Sequence, residues 1–459
     1  MKLKIHTISP VHIGSGNALQ PFEYIIEDGI YYRLNQNKAF ELAYARYPDF
    51  ADRLSTWIEK TTRNLESTRD NHRRAQIRER FNFKYFCESV LQDSELADEI
   101  TNSAYLYKCE VPYDLEGKKE IHEQLKTADG SIYIPGSSIK GAIRTVLAWR
   151  AFSHLTEKEQ VEILDNVIGS HDFKNGRGKF IDKELNEKLF VCGVLKRIKG
   201  NNIKDFSDIK FDIMKFIRIS DAKLIDGALE VCPSNLYLTD KSPQPQAPAL
   251  ECIRFNSSFE FDISINEDEI RKIYEVSLST KDKWIEFDRK FKNLFDFYPH
   301  EAKPGELEVK IVQSIKLAIA DANDILLKSE EKWLNNIKDQ VIEQGTKHSN
   351  ANFDEIRGFY ESYDQIPQMF KIGWGSGFVA TTMFSMLMRN EATQKRLEKI
   401  FDKFKIGVPP QKKRDPNVKP VALSKFPKSR RLIAEELNEP IDPMGWVALL
   451  DFDQNLELE

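Results

Sequence analysis

Apolar and polar positions alternate at the start of the chain, with Leu3, Ile5 and Thr7 set against Lys2, Lys4, His6 and Ile8, which predicts a strand over residues 2–9. The stretch 22–34 also alternates and is interrupted by Glu27-Asp28-Gly29, so it predicts a hairpin turning there. From 38 to about 98 the spacing becomes helical, with Arg-rich and Phe-rich portions, and predicts a helical lobe inserted before a strand at 105–112. A helix is expected to start at Ser138, because Pro135 disfavours helix at Ile134 and Ile139, Ala142, Ile143, Val146 and Leu147 form one apolar stripe. Helices near 157–168 and an open loop at 171–178 follow, and strands return at 211–220 and 223–232.

The stretch 242–249 carries three prolines and no apolar periodicity, so it reads as a connector or an exposed loop, with a domain boundary near 248. Ile253, Phe255, Ser257, Phe259, Phe261 and Ile263 then alternate with polar residues, the clearest half-buried strand in the chain. Long charged helices are expected over roughly 266–345, a glycine loop and its helix over 372–404, and a last strand over 446–452. Strands, helices and strands again in each half predict an α+β chain of two units, 1–248 and 249–459.

A length of 459 residues and a hydrophobic fraction of 41% suit two cores. The formal net charge of −5 means that any nucleic-acid contact must come from local patches. No apolar run approaches the ~18 residues of a membrane span, so a cytosolic protein with no membrane contact is expected. Five cysteines, far apart and without a C-x-x-C pair, argue against a disulfide framework or a zinc site, and free thiols are expected. No metal or other cofactor is expected.

Candidate chemistry sits at four places. In IPGSSIKGAIR (134–144), Ser137 or Ser138 can cap the helix, Lys140 and Arg144 stand four apart off the apolar stripe, and no acid occurs from 131 to 150. The same residues also suit an ordinary capped helix. In IGWGSGF (372–378), Gly373, Gly375 and Gly377 permit positive φ and exposed amides, and Trp374 either stacks on a base or packs into the core. Residues 405–431 hold nine Lys or Arg against Asp415 alone, and their prolines predict a basic extended segment, RNA-contacting or simply solvated. The stretch 63–84 is also Arg-rich but reads as a solvated face that packs its aromatics into the lobe.

His12 follows the first strand in a glycine-containing loop, where a general base for metal-independent RNA cleavage can be placed. The other histidines, His122 among them, form no recognisable cluster in the sequence. No carboxylate constellation, nucleophile elbow or nucleotide cradle appears either.

The run IPGSSIKGAIR resembles the signature of the RAMP superfamily of CRISPR-associated RNA-binding proteins, whose members also carry a glycine-rich loop near the C-terminus. ISPVHIGSG (8–16) is similar to the first strand and loop of that family, and the three landmarks occur in family order. Length, two-part layout and the late FPKSRR (426–431) look most like the type III-A (Csm complex) subunits that cap the crRNA 3′ end. The resemblance implies two ferredoxin-like (RRM-like) domains with inserted helical lobes. It implies a non-catalytic RNA-binding role in crRNA maturation, with crRNA, neighbouring RAMP subunits of the Csm complex and host nucleases as partners. The RNA-binding candidates are His12, Gly14, Gly16, Ser137, Ser138, Lys140, Arg144, Gly373, Trp374, Gly375, Gly377, Lys428, Arg430 and Arg431. A repeat-processing endoribonuclease using His12 is the alternative, and a structural adaptor without RNA affinity a third.

Overall fold

The alternation at the start of the chain forms a strand, Lys2–Thr7, whose two neighbours come from far along the sequence, Ser258–Ile265 and Trp446–Asp451. The structure is a computed structural model that describes residues 1–459 except 114, 116–119, 177, 179–180, 200–201, 208, 240, 245–247, 280–285, 344–350, 409–414, 416, 455 and 457–459. A first sheet runs in spatial order Met369–Lys371, Trp446–Asp451, Lys2–Thr7, Ser258–Ile265, Ala222–Asp226, Tyr133–Ile134, with Ile217–Ile219 also on Ser258–Ile265. A second runs Gly14–Leu19, Ile121–Gln124, Ala249–Ile253, Leu229–Leu238, Tyr105–Glu110, Ile30–Leu34, Tyr24–Glu27. Lys241–Gln244 and Ser429–Ile433 extend the far end of Leu229–Leu238, and Asp442–Pro443 pairs with Ser429–Ile433.

The α+β class with ferredoxin-like cores and an inserted helical lobe is therefore met, but the division at 248 is not. Both sheets take strands from both sides of that residue, because the chain crosses between them repeatedly. It crosses after Thr7, between Asp226 and Leu229, between Ile253 and Ser258, and between Pro443 and Trp446. The crossings are stitched to one another at a seam: Thr7 and Ser257, Ile8 and Trp446, Val11 and Ile253, and Gly445 and Pro10 share backbone hydrogen bonds. The long alternating stretch expected over 253–263 is split there, since Asn256 takes a positive φ of 61° and turns the chain from one sheet to the other. Alternation reports which face a residue occupies, not which sheet its strand joins.

Other expectations hold locally. The hairpin turns on Asp28 and Gly29 with φ of 51° and 72°, the mirror-image turn that matches strand twist. Residues 36–103 form the helical lobe, with Phe50, Phe83, Phe86, Leu96 and Ile100 in a core of their own. Its Arg-rich stretch behaves as a charged surface: Arg63 pairs with Glu59 and Lys84 with Glu27 and Glu88, while Phe81 and Phe83 pack on Phe22. The region 211–220 is mostly tight helical turns before its short strand, and 171–178 contains a short helix, His171–Lys174. Lys241–Gln244 makes part of the expected connector a strand, and its residues 245–247 lie outside the described residues. Lys412, Lys413, Arg414, Pro409, Pro410 and Pro416 of the basic segment also lie outside them.

The helix Gly136–Ser153 buries Ile139, Ile143, Val146 and Leu147 as its stripe requires, and it packs against the long helix Leu307–Glu343 and against Phe287–Phe295. All five cysteines are free thiols, and four are buried. Among the described residues no helix is long and apolar enough to cross a membrane.

Candidate nucleic-acid interface

The signature turn and the seam both carry predicted RNA ligands, and the fold treats them differently. At the signature turn the helix begins at Gly136, two residues earlier than expected, and neither Ser137 nor Ser138 caps it. The cap is Asp221, whose Oδ1 accepts from the Gly136 amide at 2.7 Å. Gly136 is required there because a Cβ would lie 2.4 Å from the Ile219 carbonyl oxygen and 2.6 Å from that of Ser220. Lys140, whose pKa burial lowers, donates to the Ile217 carbonyl at 2.7 Å. Arg144 holds Asp212 with both terminal nitrogens, at 3.1 and 2.9 Å, and its guanidinium lies 3.8 Å over the Phe190 ring. The acid-free window in the sequence is thus filled by acids from elsewhere, and both cations serve the fold. Ser137 remains exposed and Ser138 half-buried on the first turn.

At the seam, the loop after Lys2–Thr7 meets the glycine-rich loop. The Trp374 amide donates to the His12 carbonyl at 2.8 Å. A Cβ on Gly373, which has φ of 76°, would lie 2.4 Å from that carbonyl oxygen, so the approach depends on glycine. Gly375 and Gly377 also take positive φ, as the sequence led us to expect. His12 is 2% exposed and its Nδ1 lies 2.7 Å from the Glu251 carbonyl oxygen. Burial lowers its pKa against the raising effect of that hydrogen bond, with His122 and Lys126 adding to the lowering, so the ring is neutral near pH 7.

A polar network fixes this loop from beneath. The fully buried Glu251 carboxylate accepts from Tyr31 at 2.9 Å, Tyr107 at 2.6 Å, the Gln124 amide at 3.0 Å and Lys126 at 2.5 Å, and Gln124 Oε1 accepts from the Ile13 amide at 2.8 Å. Gly14 and Gly16 are exposed above it.

Trp374 is half-buried against a cluster that includes Cys232, Leu250 and Met444. The Arg431 guanidinium lies 4.4 Å over its ring, so it is not a bare stacking platform. The His12 and His122 ring centroids stand 6.0 and 6.3 Å from the Trp374 centroid, and 6.4 Å from each other. His122 thus joins His12 and Trp374 at the seam, carried there on Ile121–Gln124, while among the described residues no three His, Cys, Asp or Glu side chains gather as a metal site. His122, Asp212, Asp221 and Glu251 are the functional and supporting residues that sequence reasoning missed.

The two neighbouring arginines contrast sharply. Arg430 is buried and donates to Glu330 at 2.5 Å, and Lys371 lies 3.7 Å from the same carboxylate. Burial pushes the Glu330 pKa up, but Arg430 and Lys371 outweigh it and hold the carboxyl below its usual range. Arg431 points the other way. Burial lowers its pKa, no carboxylate offsets that loss among the described residues, and its Nη1 is buried without a hydrogen-bond partner. Lys428 is half-buried, with its carbonyl accepting from the Thr239 amide at 2.9 Å and Trp333 Nε1 at 3.3 Å.

The sequence pattern of the RAMP superfamily matches residues 4–379, and the chain belongs to that superfamily. It is similar to the CRISPR system Cms protein Csm5 of Methanocaldococcus jannaschii, 23% identical across 98% of this chain and 88% of that protein. The Streptococcus thermophilus protein of the same name is 27% identical over 60% of this chain and 66% of its own length. In fold it resembles a chain of a cryo-EM Csm-crRNA-target RNA ternary complex of a type III-A CRISPR-Cas system, with TM-score 0.58 and 19% identity over 98% of this chain and 100% of that one. The crystal structure of T. onnurineus Csm5 gives a TM-score of 0.55 at 19% identity, over 97% of this chain and 99% of that one.

Proposed function

We propose that the chain is a non-catalytic RNA-binding subunit of a type III-A CRISPR effector (Csm) complex. It caps the 3′ part of the crRNA and takes part in maturing the crRNA intermediate for defence against foreign nucleic acid. Similarity to Csm5 proteins along nearly the whole chain supports the place in the complex. The observation that carries RNA binding is Arg431, a partly buried guanidinium on Trp374 with an unpaired Nη1. A phosphate at the accessible part of this guanidinium meets a charge that no carboxylate among the described residues offsets. His12, Gly14, Gly16, Gly373 and Trp374 shape the loops beside it, and Lys428 approaches along the same chain segment. Neighbouring RAMP subunits and trimming nucleases of the host are the protein partners of this reading.

The test is end-labelled crRNA in Csm complexes assembled with and without this subunit, probed with a 3′ exonuclease. Protection of the 3′ part only when the subunit is present is the expected result. Equal protection in both overturns the capping role.

The histidine pair favours a second reading, a metal-independent endoribonuclease with His12 as base and His122 as acid. Repeat RNA incubated with purified protein without divalent metal decides between the two: persistence of intact RNA supports the first, and cleavage lost in His12→Ala supports the second.

A further inference from the structure

His12 is an imidazole with one nitrogen committed and one left over. Its Nδ1 lies 2.7 Å from the Glu251 carbonyl oxygen, which can only accept, so Nδ1 carries the proton and Nε2 presents a lone pair. Among the described residues Nδ1 alone has a hydrogen-bond partner. Access to Nε2 is controlled by the next glycine along the chain. An added Cβ on Gly14 would sit 3.1 Å from Nε2, and Gly14 itself is exposed. Gly14 does not have the positive φ that would demand glycine, so its missing side chain keeps a path open rather than relieving the backbone. Arg431, the cation of the RNA-binding reading, lies over the ring of the same Trp374 whose centroid stands 6.0 Å from that of His12.

Of the nucleotide donors that such an acceptor can take, base N–H groups included, the ribose 2′-hydroxyl is present at every position of RNA and is the one that DNA lacks. We propose that His12 Nε2, approached over Gly14, accepts a hydrogen bond from a ribose 2′-OH and makes this site select RNA over DNA. The proposal rests on the RNA-binding reading above and adds the specificity-determining contact to it. A hydroxyl that meets a buried acceptor discriminates against the analogue without it, because the acceptor then loses water and gains no partner.

The test is a set of labelled single-stranded RNAs with one 2′-deoxy substitution at each position in turn, alongside the all-DNA strand, titrated against wild type, His12→Ala, His12→Gln and Gly14→Ala. Melting profiles establish that each variant folds. In wild type, one deoxy position is expected to weaken binding about tenfold, the size of a lost hydrogen bond with its acceptor left bare. Gly14→Ala, whose methyl group crowds Nε2 while the imidazole itself is retained, is expected to abolish that penalty, as is His12→Ala. His12→Gln, whose amide oxygen can reach the Nε2 position, is expected to keep part of it.

Equal wild-type affinity for RNA and DNA, or a penalty unchanged in both His12→Ala and Gly14→Ala, overturns the proposal while leaving RNA binding intact. Failure of wild type to bind any strand overturns the RNA-binding reading and this inference together. Cleavage of the all-RNA strand, absent in His12→Ala, overturns it in favour of His12 as a base.

Discussion

The signature turn and the seam offer the same chemistry in sequence, cations beside glycines and a turn, and opposite chemistry in space. At the turn, Asp212 and Asp221 close on Arg144 and the helix N-terminus, and Lys140 is spent on a carbonyl. At the seam, Arg431 stacks on Trp374 with no acid against it among the described residues. A charge is available to a ligand only where folding has not already neutralised it. Spacing along a helix says which cations share a face but nothing about what the rest of the chain lays upon them.

The sharpest way to break the comparison is at the adjacent Arg430. Glu330→Ala strands Arg430 and Lys371 without their shared carboxylate, and removing one partner of a buried ion cluster costs about 3–5 kcal/mol. Urea unfolding should show a loss of that size; a change below ~1 kcal/mol would mean that the cluster is hydrated and does not pin its strand.

Asp442 pairs through its strand with Ser429–Ile433, and burial, with Glu355 repelling it, raises its pKa to about 6. Its folded value exceeds the ~3.9 of an unfolded chain, so its stabilising contribution is full below about pH 4 and is lost as pH rises through about 6. Asp442→Asn should therefore stabilise the protein by about 3 kcal/mol at pH 8 and hardly at all near pH 4. Equal effects at the two pH values would remove the basis for that shift.

Arg144→Ala comes next, leaving Asp212 without its partner at a cost of about 1–2 kcal/mol, with the RNA salt dependence unchanged. Arg431→Ala has the smallest effect on folding, about 1 kcal/mol or less from the lost stacking, and the largest effect on RNA.

Much of the fold was legible because it is local. The first strand, the hairpin at Asp28 and Gly29, the signature helix and the final strand follow from alternation, turn residues and stripe. The alternation of sheets was not legible, since Lys2–Thr7 pairs with strands that start beyond residue 257 and beyond residue 445. The candidate site was half legible. His12, Trp374 and Arg431 were named, and the fold brings them together. His122 was passed over because its neighbours at the seam come from three distant segments. The neutralising acids lie 85 and 68 positions from Gly136 and Arg144. An acid beside a predicted strand, as at Asp221, was the available signal, and it reads equally well as a turn residue.

The most direct test of the central claim is the affinity for single-stranded RNA as a function of salt, measured on wild type, Arg431→Ala and Arg144→Ala. A phosphate contact contributes about −0.7 to the slope of log K against log salt on single strands. The account predicts that Arg431→Ala binds more weakly and loses that increment, while Arg144→Ala keeps the wild-type slope. A slope that falls in Arg144→Ala and stays whole in Arg431→Ala would contradict it and return the phosphate site to the signature helix.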